Sequence, residues 1–174
     1  MDPDNADYFS DNLNRFRTNV DDMDQAIRTA VATVPESNRK LLTYHDSWAY
    51  FAREYGMEVI GAVQPSNFSQ PSVKEVADLI DQVKELDLPA VFGSEVFASD
   101  VLESIADDAG TKFVDDLADD DLPGKPGDLE HTYLGSYKQN MIIMIPALGG
   151  DASSMNGVDT ANVFDGVSEA VYPQ

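Results

Sequence analysis

The sequence has no cysteine, and this absence excludes several kinds of chemistry at once. Without a thiol, the chain cannot form disulfides, thiolate zinc sites or cysteine nucleophiles. Any metal ion must therefore be held by histidine, carboxylate or backbone oxygen atoms. Histidine is also scarce, because the 174 residues include only two, His45 and His131.

Signals of several other protein classes are absent as well. No apolar run approaches the roughly 20 residues that cross a bilayer, and the N-terminal MDPDNADYF lacks the basic and apolar regions of a secretory signal. The sequence contains neither a G-x-G-x-x-G nor a G-x-x-x-x-G-K-[ST] phosphate-binding loop, and no G-x-S-x-G nucleophile elbow. No pairing of a nucleophile with a base supports an enzyme.

Basic residues are few: 11 Lys and Arg stand against 32 Asp and Glu, for a formal charge of −21. A surface this negative repels phosphate backbones and anionic lipid headgroups, so nucleic acid is not an expected partner. We favour the interpretation that this charge prevents self-association of the protein, rather than that it forms a specific acidic binding face.

Residues 1–35 predict one long amphipathic helix. Asp2 is suited to the N-cap, Pro3 to the first helical position, and Pro35 ends the helix. At 1.5 Å per residue, a helix of about 30 residues is about 45 Å long. It therefore either spans the whole of the remaining lobe or extends beyond it to another structural unit. Its apolar side chains recur every three or four positions: Phe9, Leu13, Phe16, Val20, Met23, Ile27, Val31 and Val34.

After Pro35 the pattern alternates between strand-like and helix-like segments. This order predicts an α/β fold, in which a long N-terminal linking helix precedes a four-stranded parallel sheet lobe with helices on both faces. The lobe spans residues 36–148, whereas residues 149–174 lose periodicity and are expected to form a loosely ordered tail. The predicted strands are 40–44, 57–63, 89–95 and 111–117, and the helices are 47–55, 72–87, 99–109 and 129–148.

Polar side chains follow the predicted strands at the carboxyl ends, where ligands bind in open parallel sheets. His45 follows the first strand, and Asp115 and Asp116 end the fourth. An imidazole with one or two carboxylates makes half of a divalent metal site. Gln64 and Asn67 follow the second strand and are further candidates.

Each of these residues also has a plain structural interpretation. A single histidine at a strand end is more often structural than a ligand, and Asp115 alone can simply cap its strand. Glu95, at the end of the third strand, is expected to bind a loop amide. His131 lies among acidic residues at a helix start and is expected to be exposed. The paired aspartates, including those at 119, are interpreted as solvated charge.

Four stretches resemble, in order, the zinc/manganese solute-binding proteins of ABC transporters, also called the adhesin lipoprotein family. They are DPDNADYFSDNLNRF (2–16), RKLLTYHDSWAYFAREYGMEVIGA (39–62), QPSVKEVADLIDQVKELDLPAVFGSE (70–95) and FVDDL with TYLGSYKQN (113–140). The resemblance covers residues 2 to about 148. Each stretch is only moderately specific, whereas their common order and spacing make a strong match.

The resemblance implies that His45 is the third metal ligand and Asp115 the fourth, with Asp116 a less favoured neighbour and Glu95 a non-ligand nearby. It implies a solute receptor rather than an enzyme. The cargo would be Zn²⁺ or Mn²⁺, and the receptor would dock on an ABC permease at the extracellular or periplasmic face, where the family is membrane-anchored.

Members of this family carry two more histidine ligands in an N-terminal lobe that precedes the long helix. This chain starts at the helix, so we expect a truncated C-terminal half with an incomplete, weak metal site, and the missing N-terminal lobe is an expected partner. The alternative is a non-catalytic interaction module that uses the exposed helix stripe without metal.

Overall fold

The computed structural model describes residues 3–64, 71–94 and 100–163. The predicted order of elements is confirmed. Along the chain they are α1 (Ala6–Thr33), β1 (Lys40–His45), α2 (Ala49–Tyr55), β2 (Glu58–Gln64), α3 (Val73–Glu85), β3 (Ala90–Ser94), α4 (Asp100–Ala109), β4 (Lys112–Leu117) and α5 (Tyr133–Ala147). Short 3₁₀ turns occupy Pro3–Asn5, Glu36–Asn38 and Ser153–Gly157.

In the described part of the chain the four strands form one parallel sheet in the order β2-β1-β3-β4. Successive side chains of β1 point to opposite faces, so Leu41 is buried in the core with α1 and α5, and Leu42 is buried in the core with α3 and α4. Helices therefore cover both faces, and the predicted fold class is confirmed.

Local sequence signals account for the helix ends. Gly56 and Gly110 follow α2 and α4 at φ of 71° and 72°, a left-handed conformation that favours glycine. The Ser72 hydroxyl accepts from the Glu75 N–H at 3.3 Å, and the Glu75 carboxylate accepts from the Ser72 N–H at 2.7 Å. The Ser72 hydroxyl also donates to the Glu75 carboxylate at 2.7 Å. This bond first, and the one from the Ser72 N–H second, hold the pKa of Glu75 below its usual value.

Helix α1 packs against the lobe with its second half. Ile27 and Val31 are buried, whereas Phe9 and Leu13 on the same apolar stripe are 54% and 48% exposed. Asn5 takes the N-cap position, while the predicted N-cap Asp2 lies outside the described residues. None of the helices in the described ranges combines the length and the apolar character needed to cross a membrane.

Residues 149–163 differ from the loosely ordered tail that we predicted. They fold back onto α1, and Met155 is fully buried in the core. The Ser154 hydroxyl donates to the Ala26 carbonyl at 2.9 Å. The sequence of this segment shows no helix or strand periodicity because the segment contains one short 3₁₀ turn. Its burial depends on contacts with α1, which lies more than a hundred residues earlier in the chain.

The remaining tail residues, 164–174, lie outside the described part of the chain. The division into a helix over 1–35, a lobe over 36–148 and a tail stays a prediction.

Candidate metal centre

His45 ends β1, an interior strand of the sheet. Its Nδ1 atom lies 3.5 Å from Oδ2 of Asp120, and the two side chains are 17% and 47% exposed. The Nε2 atom, on the other side of the ring, is shielded from solvent. The imidazole therefore sits at the carboxyl end of the sheet with a carboxylate facing one of its two nitrogens.

Asp119 is held over the same sheet edge by two hydroxyl groups. Ser47, just after β1, donates to its Oδ2 at 2.6 Å, and Ser94, at the end of β3, donates to its Oδ1 at 3.3 Å. The loop after β4 therefore turns back across the ends of β1 and β3. Asp119 therefore differs from the solvated charge that we predicted, because two hydroxyl groups bind it. Asp120 is 47% exposed, as that interpretation expects, although its carboxylate faces His45.

Asn140 on α5 holds the first residue of this loop. Its Oδ1 accepts from the Ala118 N–H at 2.9 Å, and its Nδ2 donates to the Ala118 carbonyl at 2.8 Å. Both residues are buried. One amide side chain thus satisfies both backbone groups of a buried loop residue, and this fixes the point from which Asp119 and Asp120 extend.

Asp115 and Asp116 lie in β4, and both are exposed. Phe92 pairs with Val114 and Ser94 with Leu117, so the register shifts at the two aspartates. Strand β3 separates β4 from β1, so the backbones of these two strands lie about 10 Å apart at about 4.8 Å per strand. A ligand from each strand must therefore reach inward above β3 to share one ion.

The described ranges contain no group of three or more His, Asp or Glu residues close enough together to hold a metal ion. Of the other candidates, Gln64 pairs with His45 at the end of β2, while Asn67 and Glu95 lie outside the described residues. The assignment of His45 and Asp115 as ligands stays a prediction.

His131 differs from the exposed residue that we predicted, because it is only 6% exposed. Its Nδ1 atom lies 3.1 Å from the Pro123 carbonyl, which can only accept, so Nδ1 carries the proton and donates. Its Nε2 atom is buried and has no hydrogen-bond partner among the described residues. Neighbouring acidic residues suggested exposure, but the ring closes the turn that leads into α5.

A pocket of about 420 Å³ opens beside Asp119 and Asp120. Aromatic rings line one part of it and successive carboxylates another. Burial raises the pKa of Tyr137 to about 12, with a hydrogen bond to Tyr133 as a smaller cause, so this phenol is neutral at pH 7. The lining residues are Ser47, Trp48, Tyr50, Phe51, Ala118, Asp119, Asp120, Asp121, Leu122, Tyr133, Ser136, Tyr137 and Asn140.

A long helix followed by a parallel α/β lobe, with an imidazole facing a carboxylate at the carboxyl end of the sheet, is the architecture that the resemblance to solute-binding proteins implied. Comparison with known proteins agrees. Residues 1–145 match the family of the periplasmic zinc-uptake complex component A, ZnuA. The chain belongs to this family, and the resemblance seen in the sequence is confirmed.

Individual relatives support the same family. The manganese-binding lipoprotein MntA of Bacillus subtilis is 31% identical over 150 residues, which are 84% of this chain and 49% of MntA. The solved periplasmic zinc-binding protein TroA from Treponema pallidum superposes with a TM-score of 0.76 at 27% identity, over 84% of this chain and 54% of TroA. The chain thus spans about half the length of the relatives that it matches.

Proposed function

We propose that this chain binds a divalent transition metal ion as part of the solute-binding component of an ABC importer. The observation that carries this proposal is the family match over residues 1–145, and the contact between His45 and Asp120 at the carboxyl end of the sheet supports it. Relatives are described as manganese-, zinc- and iron-binding proteins. We take Zn²⁺ or Mn²⁺ as the cargo, held at the extracellular or periplasmic face and passed to a permease.

The neighbours of His45 suit a ligand. A carboxylate that faces one ring nitrogen fixes the tautomer and makes the opposite nitrogen a better metal ligand. Asp120 lies 3.5 Å from Nδ1, and in this proposal the His45 imidazole supplies the nitrogen ligand. Asp115 supplies the oxygen ligand from β4, and Asp119 stays with its two serine hydroxyls.

Affinity is expected to be weak for this chain alone. A structural zinc site takes four ligands, whereas no described group reaches three. With His45 and Asp115 as the protein ligands, water fills the other positions, and we expect a dissociation constant on the order of micromolar or weaker. Such half-site binding also suits a further chain segment or lobe that supplies the other ligands.

Isothermal titration calorimetry of the 174-residue chain with Zn²⁺ and with Mn²⁺ tests this assignment. We expect His45→Ala and Asp115→Asn each to weaken binding at least about tenfold, since even outer-shell partners of a metal site are worth about 10- to 100-fold. Asp116→Asn is the matched control, because it removes the same charge one residue away. Submicromolar affinity that survives His45→Ala would show that the site lies elsewhere.

The second candidate function is an interaction module without a metal role. The exposed first half of α1 favours it, since Tyr8, Phe9 and Leu13 are each about half exposed or more. Light scattering distinguishes the two functions. Dimers that form in a chelator and are lost in Phe16→Asp support the module, whereas a chain that stays monomeric in chelator at high concentration contradicts it.

A further inference from the structure

We propose that residues 151–163 act as a strap that fixes the direction in which α1 leaves the lobe. The strap ties α1 to the start of α5, where the loop that carries Asp119 and Asp120 ends. It lies beyond residues 1–145, the part of the chain that matches the family. It uses none of the metal ligands proposed above, so its test is independent of that function.

The strap follows α1 from the end of the helix back towards its start. Three hydrogen bonds join the two segments, and their partners on α1 come in the reverse order of the chain. The bonds run from the Asp151 N–H to the Thr33 hydroxyl at 2.7 Å, from the Ser154 hydroxyl to the Ala26 carbonyl at 2.9 Å, and from the Arg15 guanidinium to the Val163 carbonyl at 2.9 Å. The rise from Arg15 to Thr33 is about 27 Å at 1.5 Å per residue, so these contacts extend over more than half of the helix.

The start of α5 binds the strap as well. The Lys138 ammonium donates to the Val158 carbonyl at 3.0 Å. The Thr132 hydroxyl donates to the Thr160 carbonyl at 2.8 Å. Both donors bind main-chain oxygen atoms, so these bonds depend on the path of the strap rather than on its side chains. Thr132 is also the N-cap of α5, and the strap therefore holds the end of the loop that begins at Ala118.

The strap also packs closely against both helices. Met155 and Val158 belong to the core that α1 and α5 share, and they are 0% and 7% exposed. Just before the strap, Gly150 passes between the ends of the two helices. A side-chain carbon at Gly150 would lie 2.7 Å from a methyl group of Val34 and 2.8 Å from one of Ile145, closer than van der Waals contact allows. The strap therefore begins at a point that both helices fix.

Arg15 lies in the exposed part of α1. Met23 is 3% exposed, whereas Phe16 and Leu13, closer to the start of the helix, are 37% and 48% exposed. A helix that is held only by its buried half can pivot about that half. The bond from Arg15 to Val163 lies about 12 Å along the helix from Met23. Because it acts so far from the pivot, it restricts the angle of α1 more than a bond within the buried half does.

The distance between two spin labels tests the strap, because a chain without cysteine can be labelled at two chosen sites. Asp11→Cys places one label on the exposed half of α1, and Asp107→Cys places the other on α4, where both replaced residues are exposed. Double electron–electron resonance of the labelled 174-residue chain is expected to give one narrow distance distribution. Arg15→Ala combined with Lys138→Ala removes two donors to the strap and is expected to widen this distribution at least twofold.

Arg17→Ala is the matched control, because it removes the same kind of side chain from an exposed position on another side of α1. It is expected to leave the distribution unchanged, with equal helix content in all variants by circular dichroism. A broad distribution before any donor is removed overturns the proposal, as does equal widening in Arg17→Ala. A distribution that stays narrow without the two donors also overturns it, because packing of the buried half alone would then fix α1. The calorimetric test of His45 is separate from all of these results.

Discussion

Asn140 lies deep in α5 and yet fixes the start of the loop that crosses the carboxyl end of the sheet. Its amide is matched donor for acceptor with the backbone of Ala118, and Ala118 directly precedes Asp119. No aliphatic side chain can replace it, because the buried N–H and C=O of Ala118 would then have no partner. These two bonds are the physical reason for an asparagine at this position.

We therefore expect Asn140→Ala to lower the free energy of unfolding by about 2–4 kcal/mol, since two buried backbone groups lose their partners. Gln139→Ala, next to it on α5 and only partly buried, is the control and should cost less than about 1 kcal/mol. Urea denaturation measures both variants. Equal losses would show that the Ala118 bonds add nothing beyond helix propensity.

Single residues of the site were predictable only where a local pattern places them. His45 follows an apolar strand, and its position at the sheet edge can be expected from the sequence. Asp119 and Asp120 follow no such pattern, because the turn of their loop depends on Ser47, Ser94 and Asn140, which are distant in sequence. His131 was misjudged for a related reason, since the acidity of its neighbours does not reveal that the turn closes over its ring.

At the scale of the element, α1 has two halves with one continuous apolar stripe. Periodicity predicts the stripe, but it does not show which part of the stripe packs against the lobe. That part depends on where α5 and residues 149–163 contact α1. The sheet was easier to predict. Four short apolar strands alternating with capped helices leave few arrangements other than a parallel sheet.

A pair of substitutions on α1 measures this difference. Ile27 is 1% exposed and Leu13 is 48% exposed, and both lose a similar volume on replacement by alanine. We expect Ile27→Ala to lower the free energy of unfolding by about 2–5 kcal/mol, and Leu13→Ala by less than about 1 kcal/mol. Chemical denaturation checks both, and a large loss at Leu13 would mean that this half of the helix is covered in solution.

For the whole molecule, the excess of acidic residues is the dominant physical property. A charge of −21 on 174 residues repels itself throughout the folded chain. Added salt shortens the Debye length from about 30 Å at 0.01 M to about 3 Å at 1 M. The folded state is the more compact one and so gains more from this screening than the unfolded state.

We expect the thermal midpoint to rise by several degrees between about 0.05 and 1 M NaCl. A variant with Asp21, Asp22 and Asp107 changed to asparagine removes three exposed charges and should show a smaller rise. Calorimetry at fixed pH, with EDTA present to exclude metal, provides the measurement. A midpoint that stays level or falls with salt would show that repulsion does not limit stability.

The bond from Ser154 to Ala26 spans 128 residues, and that from Arg15 to Val163 spans 148. During translation α1 is thus made before the segment that covers it. At a synthesis rate of about 5–20 residues per second, its apolar stripe stays exposed for roughly 6–26 s before that segment is made. Throughout this interval the nascent helix can be bound by chaperones or associate with other exposed apolar surfaces. The aspartates beside its stripe, such as Asp21 and Asp22, keep it in solution until residues 149–163 pack against it.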